Sequence, residues 1–187
     1  MYHLPYVTYA AGIICIAAYI LKTKREQTAM SSDVLLEMGV MYNPYVRLGQ
    51  YYRLITAGFL HFSIWHLFMN MYVLWNLGSY MERMFGHVLY AVLLLGSVIL
   101  GNLMVLMTGD DHTISAGMSG GLYGLMVAEL ALIMKFYGVE EILRGTSFMY
   151  MILLNLAMNF MPGVGWRAHL GGACFGAIFT VLVLNIL

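Results

Sequence analysis

The sequence predicts an all-α, polytopic membrane protein: six transmembrane helices with a long interfacial loop between the first two. Three observations lead there. The chain has 187 residues, of which 61% are hydrophobic and only 10% charged, where soluble domains carry about 25% charged residues. Its mean hydropathy is +0.79. Its apolar residues gather into runs near the ~20 residues that cross a hydrocarbon core, and its charges fall mostly between those runs. The formal net charge is zero and the nine basic residues are scattered, so nothing suggests a nucleic-acid partner. Cys15 and Cys174 lie inside apolar runs and read as small core residues rather than a disulfide. No zinc-ligand spacing occurs, and no metal or other cofactor is expected.

The first span is residues 4–21, closed by Lys22-Thr23-Lys24-Arg25-Glu26. It has no basic region ahead of it and no small-residue cleavage site, so it reads as a retained helix and not a removed signal peptide. The second span, 63–81, lacks charge but contains His66, Asn70 and Asn76, and Glu82-Arg83 end it. The third is 88–108, closed by Gly109-Asp110-Asp111. The fourth is 113–134, with one acid, Glu129. The fifth, 147–161, is shorter and stops at Pro162-Gly163. The sixth is 168–187. The connection 22–62 is long but not a polar linker. Ser32 is placed to cap a short helix over 33–38, closed by Gly39. Tyr42, Tyr45, Tyr51, Tyr52, Phe59 and Phe62 then suit a membrane interface. With no internal repeat and no low-complexity stretch, residues 1–187 read as one domain.

Six spans place the starts of the second, fourth and sixth on the same side. Each carries polar residues near its start: His66 and Asn70, Ser119, and His169. With 1.5 Å of rise per residue, Ser119 is expected on the order of 10 Å down its helix. Polar groups inside a membrane are costly and usually functional, and a serine beside a histidine is the smallest set that makes an activated nucleophile. Each signal also has a plainer explanation. Gly120 and Gly124 form a GxxxG, which by itself suggests helix packing, as do Gly171, Gly172 and Gly176 around His169. The two glycine-rich faces predict that the fourth and sixth helices touch, and that contact is also what a Ser119–His169 hydrogen bond needs. His66 and Asn70, four apart, share one face and suit either an interhelical bond or oxyanion stabilisation. Tyr123, one turn beyond Ser119, is placed to pack beneath His169 or to be an ordinary interior aromatic. His61, Glu82, Arg83 and Glu129 read as structural, and His3, His87 and His112 as solvated segment ends.

These residues together resemble the rhomboid intramembrane proteases, over about residues 42–179. The resemblance rests on Gly117-Met118-Ser119-Gly120 for GxSG, on His61-Phe-Ser-Ile-Trp-His66-Leu-Phe-Met-Asn70 for HxxxxHxxxN, and on Ala168-His169-Leu170-Gly171-Gly172. Gly49-Gln50-Tyr51-Tyr52-Arg53 is similar to the family's GQxWR, with Tyr52 where Trp is usual. The resemblance implies a minimal, prokaryote-like serine endopeptidase with Ser119 as nucleophile, His169 as general base and no acidic third member. It implies an oxyanion hole from Asn70, His66 and the Ser119 N–H. Gly117, Gly120 and Tyr123 are read as supporting residues of the site. It implies single-span membrane-protein substrates in the bilayer of the cell membrane, with the active-site mouth outside the cytoplasm. On that side the spans put Lys22, Lys24, Arg25, Arg47, Arg53 and Arg167, against Arg83, Lys135 and Arg144 opposite, a bias that runs against the positive-inside rule.

Other classes fit less well. A metal-dependent intramembrane protease needs HExxH, which the chain lacks. An aspartyl one needs two helix-borne Asp, whereas Asp33, Asp110 and Asp111 fall in loops. A transporter or channel would use the polar residues as a path, but paired broken helices and an inverted repeat are missing. A non-catalytic rhomboid-like binding protein would lack the serine–histidine pair.

Overall fold

The computed structural model describes residues 4–28, 30–140, 147–159 and 165–185. Helices dominate it: α1 (Tyr6–Arg25), α2 (Ser31–Met38), α3 (Asn43–Arg47), α4 (Arg53–Thr56), α5 (Ile64–Val73), α6 (Ser79–Thr108), α7 (Ser119–Phe136), α8 (Ser147–Met158) and α9 (Trp166–Leu184). Two short strands, β1 (Met41–Tyr42) and β2 (Ile114–Ser115), pair antiparallel with Met41 opposite Ser115. A π-helical turn, Leu74–Gly78, joins α5 to α6.

Among the described residues, four stretches are long and apolar enough to cross a membrane: Tyr6–Arg25, Ile64–Thr108, Ser119–Phe136 and Trp166–Leu184. Ile64–Thr108 has 45 residues, about twice what one crossing uses. It is broken at Gly86 (φ 75°, ψ 167°), between the expected second and third spans. Glu82 does not end the second span. It is buried inside the helix and accepts the N–H groups of Val7 and Thr8, each at 2.8 Å. A carboxylate there matches the positive end of α1. Of the expected fifth span, α8 is described, while Met161, Pro162 and Gly163 lie outside the described residues, as do His3, Arg144 and Leu187.

The fourth span departs from expectation at its start. Residues 113–118 are not helical: β2 occupies Ile114–Ser115, and Ser119 is the first residue of α7. The reason is local. Gly117 sits at φ 131°, outside any helix, so the helix begins after it. The short helix after α1 begins at Ser31, with Met30 at its cap position, so Ser32 lies within it and does not cap it. It closes at Gly39 as expected. Ser31 Oγ instead donates to Glu26.

α6, α7 and α9 form the tightest part of the bundle. The core they share with α1 and α5 includes Tyr90, Leu93, Leu94, Leu125, Phe179 and Cys15. Cys174 is not a core residue: it is a free thiol on the exposed side of α9, because the opposite face, with Gly172 and Gly176, is the one that packs. Outward faces stay apolar, with Ile13, Ile16 and Ile20 on α1 and Ile178, Val181 and Leu182 on α9 exposed. Bands of this kind suit lipid, not water, and the chain is a multi-pass membrane protein.

The α7–α9 contact is backbone on backbone. A Cβ on Gly172 would stand 1.8 Å from the Gly120 carbonyl oxygen, and one on Gly176 would stand 2.2 Å from that of Gly124. The expected contact of the two glycine faces is therefore present. At Gly12, by contrast, the nearest atom is Met71 Sδ at 3.7 Å. Gly172→Ala should lower the thermal midpoint in micelles markedly, at a cost of about 1–3 kcal/mol or more, while Gly12→Ala should be nearly neutral. Equal midpoints for the two variants would contradict this packing.

Candidate active site

The loop that delivers Ser119 is held from three directions. β2 pairs with β1. The Gly117 N–H donates to the Ala57 carbonyl at 2.9 Å. The ring of His66 presses on Gly117, where a Cβ would meet His66 Cε1 at 2.7 Å and Nε2 at 2.8 Å. Conformation and space thus both require glycine at 117. Because Ser119 opens α7, its N–H is among the first-turn donors that have no intrahelical acceptor.

The segment between α1 and α5 supports this loop. Arg53, buried, donates to the carbonyls of Val40 and Leu36, both at 2.8 Å, and to Gln50 Oε1 at 2.8 Å. Its guanidinium lies over the rings of Tyr45 and Tyr52. Tyr52 therefore fills the aromatic place in the Gly49–Arg53 signature. Asn102 of α6 donates to the Leu54 carbonyl at 2.9 Å, tying the segment to the bundle.

His169 lies in the first turn of α9. Its Nε2 is 2.8 Å from Ser119 Oγ. Tyr123 stacks on the imidazole, with ring centroids 4.2 Å apart and planes 6° from parallel. Both residues line a cavity of about 510 Å³ together with His66, Asn70, Gly117 and Gly120. Ser119, His169, Tyr123, His66, Asn70, Gly117 and Gly120, the site residues expected from the sequence, are thus in one place. Asn70 is buried, and its Nδ2 donates to the His66 carbonyl at 2.8 Å, leaving that amide nitrogen a second hydrogen. His61, ahead of α5, packs edge-to-face on His66 at 5.0 Å. Burial, the largest cause, pushes its pKa down to about 3, so it is neutral at working pH and serves as packing. His87 is not simply solvated, since its Nδ1 is 2.6 Å from Glu82 Oε1. His112 is exposed, and Glu129 is outside the cavity lining. Among the described residues no cluster of His, Cys, Asp and Glu could hold a metal ion.

Sequence reasoning gave no site role to Asn155 and Asn159. Asn159 Oδ1 is 2.5 Å from His169 Nδ1, Asn159 Nδ2 is 2.7 Å from Tyr123 Oη, and Tyr123 Oη donates to the Asn155 carbonyl at 2.5 Å. Their spacing of four on an apolar segment, the same as that of His66 and Asn70, was the available signal.

Comparison with known proteins gives the chain a family. Residues 48–186 match the Rhomboid domain. The chain is 32% identical over 161 residues to RHOMBOID-like protein 6, mitochondrial, of Arabidopsis thaliana, covering 82% of this chain and 51% of that protein. It is 27% identical over 157 residues to Rhomboid protease GluP of Bacillus subtilis, covering 83% and 30%. It is 27% identical over 151 residues to Rhomboid-like protease 1 of Toxoplasma gondii, covering 78% and 52%. The chain spans about half the length of the plant and Toxoplasma relatives and less of the Bacillus one. A domain match over most of the chain, on a helical membrane fold, makes this protein a member of the rhomboid family.

Proposed function

We propose that the chain is a serine endopeptidase that hydrolyses peptide bonds at or near the transmembrane helices of membrane-protein substrates. The observation that carries this reading is the 2.8 Å approach of Ser119 Oγ to His169 Nε2 in a shared cavity. Ser119 is the nucleophile. Its oxygen attacks the scissile carbonyl while its proton passes to neutral His169. The carbonyl oxygen, now an anion, is held by the Ser119 N–H at the start of α7 and by donors from Asn70 and His66. His169 then gives its proton to the leaving amine, and an ester to Ser119 remains. Water, deprotonated by His169, releases the acid and restores the serine.

Membership of the rhomboid family supports the remaining parts of this reading. The chain is a single rhomboid-like domain of six spans, with the segment before α5 lying at the interface. Substrates are single-span proteins cut where small or helix-breaking residues let the helix unwind, since a helical carbonyl is shielded and unsatisfied backbone groups in hydrocarbon cost several kcal/mol. The protein resides in the cell membrane with the cavity mouth outside the cytoplasm. The opposing count of cations is weaker than the sequence suggests, because Arg53 and Lys22 are buried and bonded to backbone carbonyls and so serve the fold.

Ser119→Ala and His169→Ala should each abolish cleavage of a model transmembrane substrate and labelling by a fluorophosphonate, with the folded protein retained. The double variant should be no worse than either single one, since members of a catalytic unit are not additive. Substantial cleavage by purified Ser119→Ala would end the proposal.

Asn70→Ala should lower kcat by up to roughly 10²–10³ and leave KM near its original value. A change confined to KM would reassign Asn70 to substrate binding.

Cleavage should fall on acidification, because an imidazolium cannot accept the serine proton; histidine in model peptides titrates near about 6.5. Rates measured from about pH 8 to about pH 4 test this. A rate that climbs steadily toward the acid end would indicate a carboxylate mechanism instead.

A further inference from the structure

We infer that Asn159 is the positioning residue for His169: it fixes the imidazole tautomer that leaves Nε2 free to accept the proton of Ser119. The inference rests on the hydrolase reading of Ser119 and His169, and it adds a third member supplied by the segment that carries α8.

One carbonyl fixes the direction of every bond in the series. Asn155 O belongs to the last turn of α8, whose final carbonyls have no intrahelical donor. A carbonyl only accepts, so Tyr123 Oη, 2.5 Å away, donates its single hydrogen to it. Tyr123 Oη can then only accept from Asn159. The amide must turn its Nδ2 toward Tyr123, at 2.7 Å, and its Oδ1 toward His169 Nδ1, at 2.5 Å. An oxygen facing Nδ1 requires the hydrogen to be on Nδ1. The neutral ring therefore carries no hydrogen on Nε2, and Nε2 is the atom that faces Ser119 Oγ at 2.8 Å. Amide and imidazole orientations are set by such networks, and here Asn159 Nδ2, which also reaches the Asn155 carbonyl at 3.5 Å, has acceptors on both of its contacts in this orientation.

The opposite arrangement breaks down at each step. With the amide turned over, Nδ2 would face Nδ1, the ring hydrogen would move to Nε2, and His169 would donate to Ser119 instead of accepting from it. A group that holds the base in its working tautomer is the part a third member plays in serine hydrolases, and a neutral amide does this without adding charge inside the membrane. Stacking on Tyr123 holds the ring plane, while Asn159 selects the tautomer. The other titratable groups lining this cavity are His66 and Arg167, and neither has a bond to Nδ1.

The test uses the full chain in micelles, with ¹⁵N-labelled histidine and His169 assigned by difference with His169→Gln. At a pH where the ring is neutral, the expected spectrum shows Nδ1 protonated and Nε2 bare. Asn159→Leu should mix the two tautomers and lower kcat by on the order of tenfold, about the worth of one hydrogen bond, with KM little changed. Asn159→Asp keeps an acceptor and should restore both the tautomer and most of the rate. A wild-type ring protonated on Nε2 overturns the inference without any variant, and so does Asn159→Leu with unaltered tautomer and kcat. Failure of the hydrolase reading shows separately, as wild-type cleavage no greater than that of Ser119→Ala.

Discussion

The closeness of α7 to α9 is the constraint from which the site follows. Lipid removes the hydrophobic drive between helices, so membrane helices adhere through close packing and polar contacts. Gly120 against Gly172 and Gly124 against Gly176 bring the two backbones into contact. That spacing also lets a short serine side chain at the top of α7 reach a histidine in the first turn of α9. α6 joins at the same level: a Cβ on Gly101 would meet the Ala168 carbonyl oxygen at 2.6 Å, and one on Gly124 would meet Ser97 Oγ at 1.9 Å. The three helices thus share one junction of small residues, and Ser119 and His169 stand at its upper edge.

Above that junction the chain is irregular. Non-helical backbone at membrane depth is tolerated where protein covers it or where it lines a cavity. Here it does both. Gly117 turns the chain into α7 under the ring of His66, and the β1–β2 pair and the Ala57 carbonyl take up hydrogen bonds of the loop. Arg53 organises the other side of this layer. A buried cation is expensive unless its donors are used, and Arg53 uses them on two carbonyls and Gln50 while its plane covers two tyrosines. Its effect on Ser119 is mechanical: it holds the segment that holds the loop.

The α8 side contrasts with this. Tyr150, Leu153, Leu154 and Leu156 are exposed, and the contacts this segment makes with the site are hydrogen bonds through Asn155 and Asn159 rather than interlocked glycines. One wall of the cavity is thus backbone packed on backbone, at α7 and α9, and the wall at α8 is joined to the site through side-chain hydrogen bonds.

Much of this was legible in the sequence. Span-length apolar runs gave a helical membrane protein, because hydrocarbon forces the backbone to satisfy itself within each segment. Gly120, Gly124, Gly172 and Gly176 announced the α7–α9 contact, since small residues at helical spacing have few other uses in lipid. Ser119, His169, His66 and Asn70 stood out as polar groups where polarity is costly. The tertiary structure alone decided the rest. The helical start of the fourth span was misjudged because residues 113–118 carry no charge and no proline to mark a break, and only pairing with β1, more than 70 residues earlier in the chain, makes them a strand and loop. Cys174 was placed in the core because composition does not say which face of a helix packs. The order Asn155, Tyr123, Asn159, His169 is invisible to a linear reading. Each of its bonds joins partners whose separation is fixed by how α7, α8 and α9 come together, and a hydrogen bond acts only within its own few ångströms.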